Sequence, residues 1–147
     1  MSSDIAIRPA TEVEFAAAQS WLTEAGLPFE DLTSDHMQGF LVALESDRPV
    51  GMIGLEQFGN IGLLRSLVVD RSVRSAGIGR SLVDALETRA RELGVSELWL
   101  LTIDAARYFA ALGYVDVDRD EAPDSIRNTS EFSTLCPGDA VLMRKCL

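Results

Sequence analysis

Between residues 67 and 102 the chain runs from an apolar stretch, Leu67-Val68-Val69, through a turn holding Gly77 and Gly79 into a long amphipathic segment. It then enters a second apolar run, Leu98-Trp99-Leu100-Leu101-Thr102. From Gly77 to Leu93 the residues Ile78, Leu82, Val83, Leu86, Ala90 and Leu93 recur at helical spacing, with Arg80, Asp84, Arg89 and Arg91 off the stripe. Gly94 ends this helix. Runs apolar on consecutive positions mark strands covered on both faces. A helix joining two such strands is a crossover, and the strands it joins are expected to be parallel neighbours. That unit alone commits the chain to an α/β architecture.

The remaining segments fit around it. Ile5 and Ile7 alternate with Ala6 and Arg8 ahead of Pro9, a short first strand. Thr11 to Glu14 has the form of a capping box and opens a helix on Phe15, Ala18, Leu22 and Ala25, which Gly26 and Pro28 stop. A short polar helix or loop covers 31–38, with His36 as a capping or surface residue. Phe40 to Leu44, Val50 to Phe58 and Leu63 to Val69 then form an antiparallel meander through turns at Asp47-Arg48-Pro49 and Gly59-Asn60. After Thr102 come a helix from Ala105 to Leu112 ending at Gly113, a strand from Tyr114 to Val117, a polar segment from Asp118 to Pro137, and a last strand from Ala140 to Arg144. Trp21 and Trp99 are expected in packing roles. The order β-α-(α)-β-β-β-α-β-α-β-β predicts one domain over 1–147, a mixed sheet flanked by helices, antiparallel in its N-terminal part.

Charge removes several functions. With 13 Lys and Arg against 23 Asp and Glu, the net charge is −10, opposite to what nucleic acid or an anionic membrane attracts. No apolar run approaches the roughly 20 residues that span a bilayer, and the first residues lack a signal peptide's basic and apolar regions. The chain is therefore read as cytoplasmic. Cys136, Cys146 and the single His36 form no metal-ligand spacing; two free thiols are expected, and no metal. For Cys136, a small buried residue is weighed against coordination of a metalloid.

The chemistry is expected where the first buried strand stops. Val69-Asp70-Arg71-Ser72-Val73-Arg74-Ser75-Ala76-Gly77-Ile78-Gly79 places Arg-x-x-Gly-x-Gly at the opening of the long helix. Free N–H groups and the positive dipole end attract anions there. Gly77 and Gly79 leave room for a phosphate and Arg74 can pair with it, so the segment reads as a diphosphate cradle or, alternatively, as glycines serving only a turn. A dinucleotide fingerprint would need a third glycine where Leu82 stands, and no Gly-Lys-Ser/Thr is present.

With these residues in place, the sequence resembles the GNAT superfamily of acetyl-CoA-dependent N-acetyltransferases. The likeness is collinear through Leu67-Val68-Val69, Arg74-x-x-Gly77-x-Gly79, the long helix, the strand to Thr102 and Ala105-x-x-Tyr108-Phe109-x-x-x-Gly113-Tyr114. Leu64-Arg65-Ser66-Leu67, Leu101-Thr102, Thr129-Ser130-Glu131-Phe132 and Leu135-Cys136-Pro137 resemble more narrowly the branch found with arsenic-resistance genes. The resemblance implies a GNAT-like sheet with its parallel pair at the cofactor cleft. It implies that amides across Arg74, Ser75, Ala76, Gly77, Ile78 and Gly79, with Arg80, hold the CoA diphosphate. Leu67, Val68 and Val69 would pair with the pantetheine arm, and an N–H near Leu67 would polarise the thioester carbonyl. Attack by the amine would be direct, with no covalent enzyme intermediate.

Departures from the family pattern leave roles open. Phe109, counted with the cofactor contacts, stands where many members carry the tyrosine that protonates the leaving thiolate. Tyr108, one residue earlier and about 100° around the helix, is the candidate acid, with packing as its alternative. Thr102 replaces a frequent asparagine and would bond to pantetheine. Leu63 stands where some relatives carry a carboxylate base, so Glu56 is the candidate base, weighed against a solvent-facing edge carboxylate. On the acceptor side Arg65 interrupts an apolar strand and, if the strand is regular, shares a face with Leu63 and Leu67. It reads either as a clamp for a substrate carboxylate or as half of a structural ion pair. Arg127 and Thr129 in the polar segment would join it. The expected partner is a small-molecule amine, an amino acid or an arsenical amino acid analogue, with a cationic amine as second choice and a homodimer left open. A non-catalytic acetyl-CoA sensor is the alternative from another class.

Overall fold

The computed structural model describes residues 5–10, 20, 23, 39–46, 48–70, 77–103, 105–129 and 140–147. The strands are β1 (Ile5–Pro9), β2 (Phe40–Glu45), β3 (Arg48–Phe58), β4 (Ile61–Val69), β5 (Glu97–Thr102), β6 (Val115–Val117) and β7 (Val141–Cys146). The helices are α1 (Ile78–Glu92), α2 (Ala106–Ala111) and α3 (Asp124–Arg127). The capping box and first helix from Thr11, Trp21, His36 and the segment around Cys136 lie outside the described residues, although Ser20 and Thr23 are helical.

Among the described residues the strands form one sheet in the order β1-β2-β3-β4-β5-β7-β6. β1 to β4 pair antiparallel, and β4 and β5, joined through α1, pair in parallel as the crossover requires. The last strand is the departure. β7 inserts between β5 and β6, antiparallel to both, and it runs two residues beyond the expected end at Arg144. The first hairpin also differs, because Arg48 and Pro49 belong to β3 and the turn is at Ser46, where φ is 50°. Proline is tolerated there because β4 joins β3 only from Gly51 onward, so no ladder bond is lost on that side.

Helix α1 buries Ile78, Leu82, Val83, Leu86 and Ala90. These residues pack on Leu41, Val50, Ile53, Leu55, Leu64, Leu98 and Leu100 to form the main core. Leu93, expected on that stripe, is 41% exposed. It is the C-cap residue, and the chain turns away through Gly94 at φ 86° before its side chain can return to the sheet. The opposite sheet face carries a smaller core of Leu63, Trp99, Ala122, Ile126 and Leu142. Ala122 and Ile126 come from the stretch expected to be polar covering. Its described part instead forms a 3-10 turn at Arg119–Glu121 and α3, and it closes this face of the sheet.

Candidate active site

β4 and β5 are registered over three pairs only: Ile61↔Glu97, Gly62↔Leu98 and Leu63↔Trp99. Beyond them β4 stays with β3 as far as Gly51↔Val69, while β5 stays with β7 as far as Thr102↔Val141. The sheet therefore splits, and the β4 edge from Leu64 to Val69 has no β5 ladder opposite it. Main-chain N–H and C=O groups along such an edge can pair with an extended ligand as they would with another strand.

Strand β4 is not regular. Val68 faces Met52 and Arg65 faces Gly54, so Ser66 and Leu67 together oppose Ile53. This is a β-bulge, and Ser66 sits in it with φ 62°. One extra residue shifts the alternation. Leu63 belongs to the small core, whereas Leu64, Leu67 and Val69 all pack against the main core. The expectation that Arg65 shares a face with both Leu63 and Leu67 is thus corrected: the bulge puts Leu67 on the other face.

Past β4, Arg74, Ser75 and Ala76 lie outside the described residues. The chain re-enters at Gly77, the N-cap of α1, with φ 76°, a conformation that favours glycine. Among the described residues no side chain caps this end, and its first turn holds no acidic residue, yet Arg80 is in it. A cation beside the positive end of a helix dipole is unfavourable unless an anion joins them. A Cβ on Gly77 would meet nothing within 4 Å, whereas one on Gly79 would stand 2.8 Å from Tyr108 Oη. Among the described residues the first turn of α1 is thus a donor set with no side-chain cap, no atom within 4 Å of a Cβ at Gly77, and the phenol of α2 beside Gly79. This arrangement fits a diphosphate.

The two aromatics of α2 divide as the helix turn predicts. Phe109 is buried in the main core, in edge contact with Tyr108 at 5.3 Å and Tyr114 at 5.6 Å between ring centroids. Tyr108 is 40% exposed. Burial raises its hydroxyl above the ordinary tyrosine value, Arg80 opposes this, and Asp84 adds to it. It is a neutral phenol at physiological pH, able to donate a hydrogen bond. Thr102 Oγ1 accepts from the Ala105 N–H at 3.0 Å, in the turn between β5 and α2.

The acceptor candidates are each engaged within the protein. Arg65, 2% exposed, donates from Nη1 to Glu56 Oε1 at 2.8 Å and from Nε to Ser66 Oγ at 3.2 Å. The ion-pair reading of Arg65 is the one the geometry shows, and its partner is the candidate base. Arg127 folds back onto its own segment, donating to the carbonyls of Ala122, at 3.0 Å, and Asp120. Thr129 Oγ1, buried, donates to the Ile126 carbonyl at 2.7 Å. Among the described residues no group of three or more metal-ligating side chains occurs, and no helix is long and apolar enough to cross a membrane.

A buried polar cluster escaped the sequence reading. Tyr114 Oη donates to Glu87 Oε2 at 3.0 Å, and Lys145 Nζ donates to both Glu87 oxygens at 3.0 Å and to the Leu112 carbonyl at 2.9 Å. Glu87 lies four residues after Val83 and three before Ala90, on the apolar stripe. An acid at a stripe position demands partners, and that was the available signal.

The Acetyltransferase (GNAT) family model matches residues 6–114. The chain belongs to the GNAT acetyltransferase family. An N-acetyltransferase of Chlorobaculum tepidum, itself uncharacterized, is 30% identical over 115 residues, 77% of this chain and 74% of that protein. An amino-acid acetyltransferase of Enterobacter is 32% identical over 65 residues, 44% of this chain but 15% of the relative. The N-acetylglutamate synthase of Neisseria gonorrhoeae, solved with coenzyme A and N-acetyl-glutamate, superposes with a TM-score of 0.86 at 20% identity, over 100% of this chain and 36% of the synthase. This GNAT acetyltransferase thus spans about a third of the synthase. Membership of the family fixes the reaction class as acyl transfer.

Proposed function

We propose that this acetyltransferase moves the acetyl group of acetyl-CoA directly to the amine of a small molecule bearing a carboxylate, an amino acid or a close analogue. The observation that carries the reading is the β4 edge from Leu64 to Val69, which has no β5 ladder opposite it, leading toward a first turn of α1 that no described side chain caps. Amides of Gly77 to Arg80, with the Arg74 segment, would hold the diphosphate. The β4 edge would take the pantetheine arm, and the Leu67 N–H would polarise the thioester carbonyl. A thioester is already activated, so orientation and polarisation supply much of the acceleration. Tyr108, neutral and beside the α1 turn, is the proposed donor toward the cofactor end. The amino-acid acceptor draws support from the sequence likeness to an amino-acid acetyltransferase, and the likeness to the arsenic-associated branch adds arsenical analogues to the candidates.

The test is calorimetric titration with acetyl-CoA, followed by thiol release with a panel of amino acids, arsenical analogues and cationic amines. Binding together with CoA release far above the solvent rate for carboxylate-bearing amines is expected. Release only with polyamines or aminoglycosides would replace the acceptor class. Binding without release across the panel would make the chain a sensor, and absence of binding would remove the cradle.

A further inference from the structure

We propose that Arg65, Ser66 and Glu56 form a strut that fixes the β4 bulge and so aims the main-chain amides bordering the split. Arg65 is then a positioning residue for acyl transfer and not a ligand of the acceptor. The inference rests on the acetyl-CoA reading above and deepens it.

Two costly features coincide at this point. Ser66 occupies the left-handed region, φ 62°, which a glycine would adopt without the penalty of about 1–2 kcal/mol borne by other L-residues. An arginine whose side chain is 0% exposed lies next to it in a strand, although burying a charge is expensive unless it is paired and hydrogen-bonded. Each feature accounts for the other. What serine offers here and glycine lacks is Oγ, and Oγ accepts from Arg65 Nε at 3.2 Å. The other end of the guanidinium reaches the neighbouring strand, where Nη1 donates to Glu56 at 2.8 Å. Glu56 lies two residues after Gly54, the register partner of Arg65. The three side chains therefore tie β3 to β4 immediately beside the slip.

The slip matters for the edge. Side chains and main-chain amides both alternate with a period of two, so one extra residue exchanges which amides of 66–69 face β3 and which face the split. Loss of the strut lets that phase relax, and the donor proposed for the thioester carbonyl loses its aim. The same burial argues against an acceptor role, since a substrate carboxylate would have to displace Glu56 from a guanidinium closed to solvent.

The decisive variant is Ser66→Gly, which keeps the left-handed backbone at no steric cost and deletes the hydroxymethyl group that carries Oγ. We expect an unchanged or raised melting temperature, acetyl-CoA affinity within about twofold of wild type, and kcat lowered roughly tenfold, a misaimed rather than absent oxyanion donor. Isotope-edited infrared spectra of bound [1-13C]acetyl-CoA should show the carbonyl moving back toward its frequency in water. Arg65→Met should repeat the kcat and infrared changes with the acceptor KM unchanged; if it fails to fold, Ser66→Gly decides alone. Unaltered kcat and carbonyl frequency in Ser66→Gly would overturn the strut. A tenfold rise in acceptor KM at constant kcat in Arg65→Met would return Arg65 to the acceptor. Wild-type protein that does not bind acetyl-CoA would sink the transferase reading, and the strut with it. Wild-type protein that binds without turnover still reports through the infrared shift.

Discussion

The two halves of the split sheet are built differently. On the β4 side the strand is bulged, a serine is held in the left-handed region, an arginine is buried, and no described side chain caps the start of the following helix. On the β5 side the strand pairs with β7 without interruption from Glu97↔Cys146 to Thr102↔Val141. There Lys145, Glu87 and Tyr114 bind α1, β7 and the end of α2 into one buried cluster. Beside the split, the β3–β4 ladder is irregular where a ligand would pair with the chain, and the β5–β7 ladder is regular where the fold needs an anchor. The comparison teaches that one sheet can separate the two tasks by ending one ladder early. Deformation beside β4 then need not propagate into the β5–β7–β6 half.

That contrast can be broken from either side. The largest effect is expected from Lys145→Met, which leaves Glu87 buried with Tyr114 as its near partner. Removing one member of such a pair costs about 3 kcal/mol, read as a lower denaturation midpoint, while acetyl-CoA affinity of the folded protein stays within about twofold. Gly77→Glu acts on the other half: it places a carboxylate at the α1 turn, and like charge against a diphosphate costs several kcal/mol. Acetyl-CoA binding by calorimetry should weaken on the order of a hundredfold or more, while circular dichroism still reports a folded chain.

Smaller effects sharpen the comparison. Tyr114 is held protonated well above the ordinary tyrosine range, first by burial and then by the charge and hydrogen bond of Glu87. The unfolded chain releases this proton near pH 10. Above that pH the native state binds more protons than the unfolded one, so stability is full below about pH 10 and falls as pH rises past it. Tyr114→Phe should cost about 1 kcal/mol near neutrality and flatten that alkaline loss, leaving only the same-signed part from Tyr108; denaturant midpoints against pH measure both. The smallest change is expected from Leu93→Ala. An exposed capping residue should shift stability by no more than about 0.5 kcal/mol, against about 2–5 kcal/mol for Leu82→Ala in the core.

Much of the molecule was legible because its signals are local. The α1 stripe from Ile78 to Ala90, the Gly59-Asn60 turn, the parallel crossover and the glycine start of α1 all follow from residues near one another in the chain. Leu93 misled because its position has helical spacing while its backbone has already left the helix. Arg65 was readable as a residue in need of an anion, but Glu56 lies on a different strand and nothing in the spacing marked it as the partner.

By itself, the sequence determined the seven strands and the helices α1 and α2 of the described residues, and their parallel or antiparallel sense up to Thr102. Hydrophobic period and turn chemistry fix those within a few residues. Only the tertiary structure decided the bulge at Ser66, the insertion of β7 between β5 and β6, and the pairing of Glu87 with Lys145 across 58 residues. Each depends on what a distant strand presents at that point: a one-residue slip is favourable only if the neighbouring ladder accepts it, and a buried charge only if its partner arrives from elsewhere in the fold.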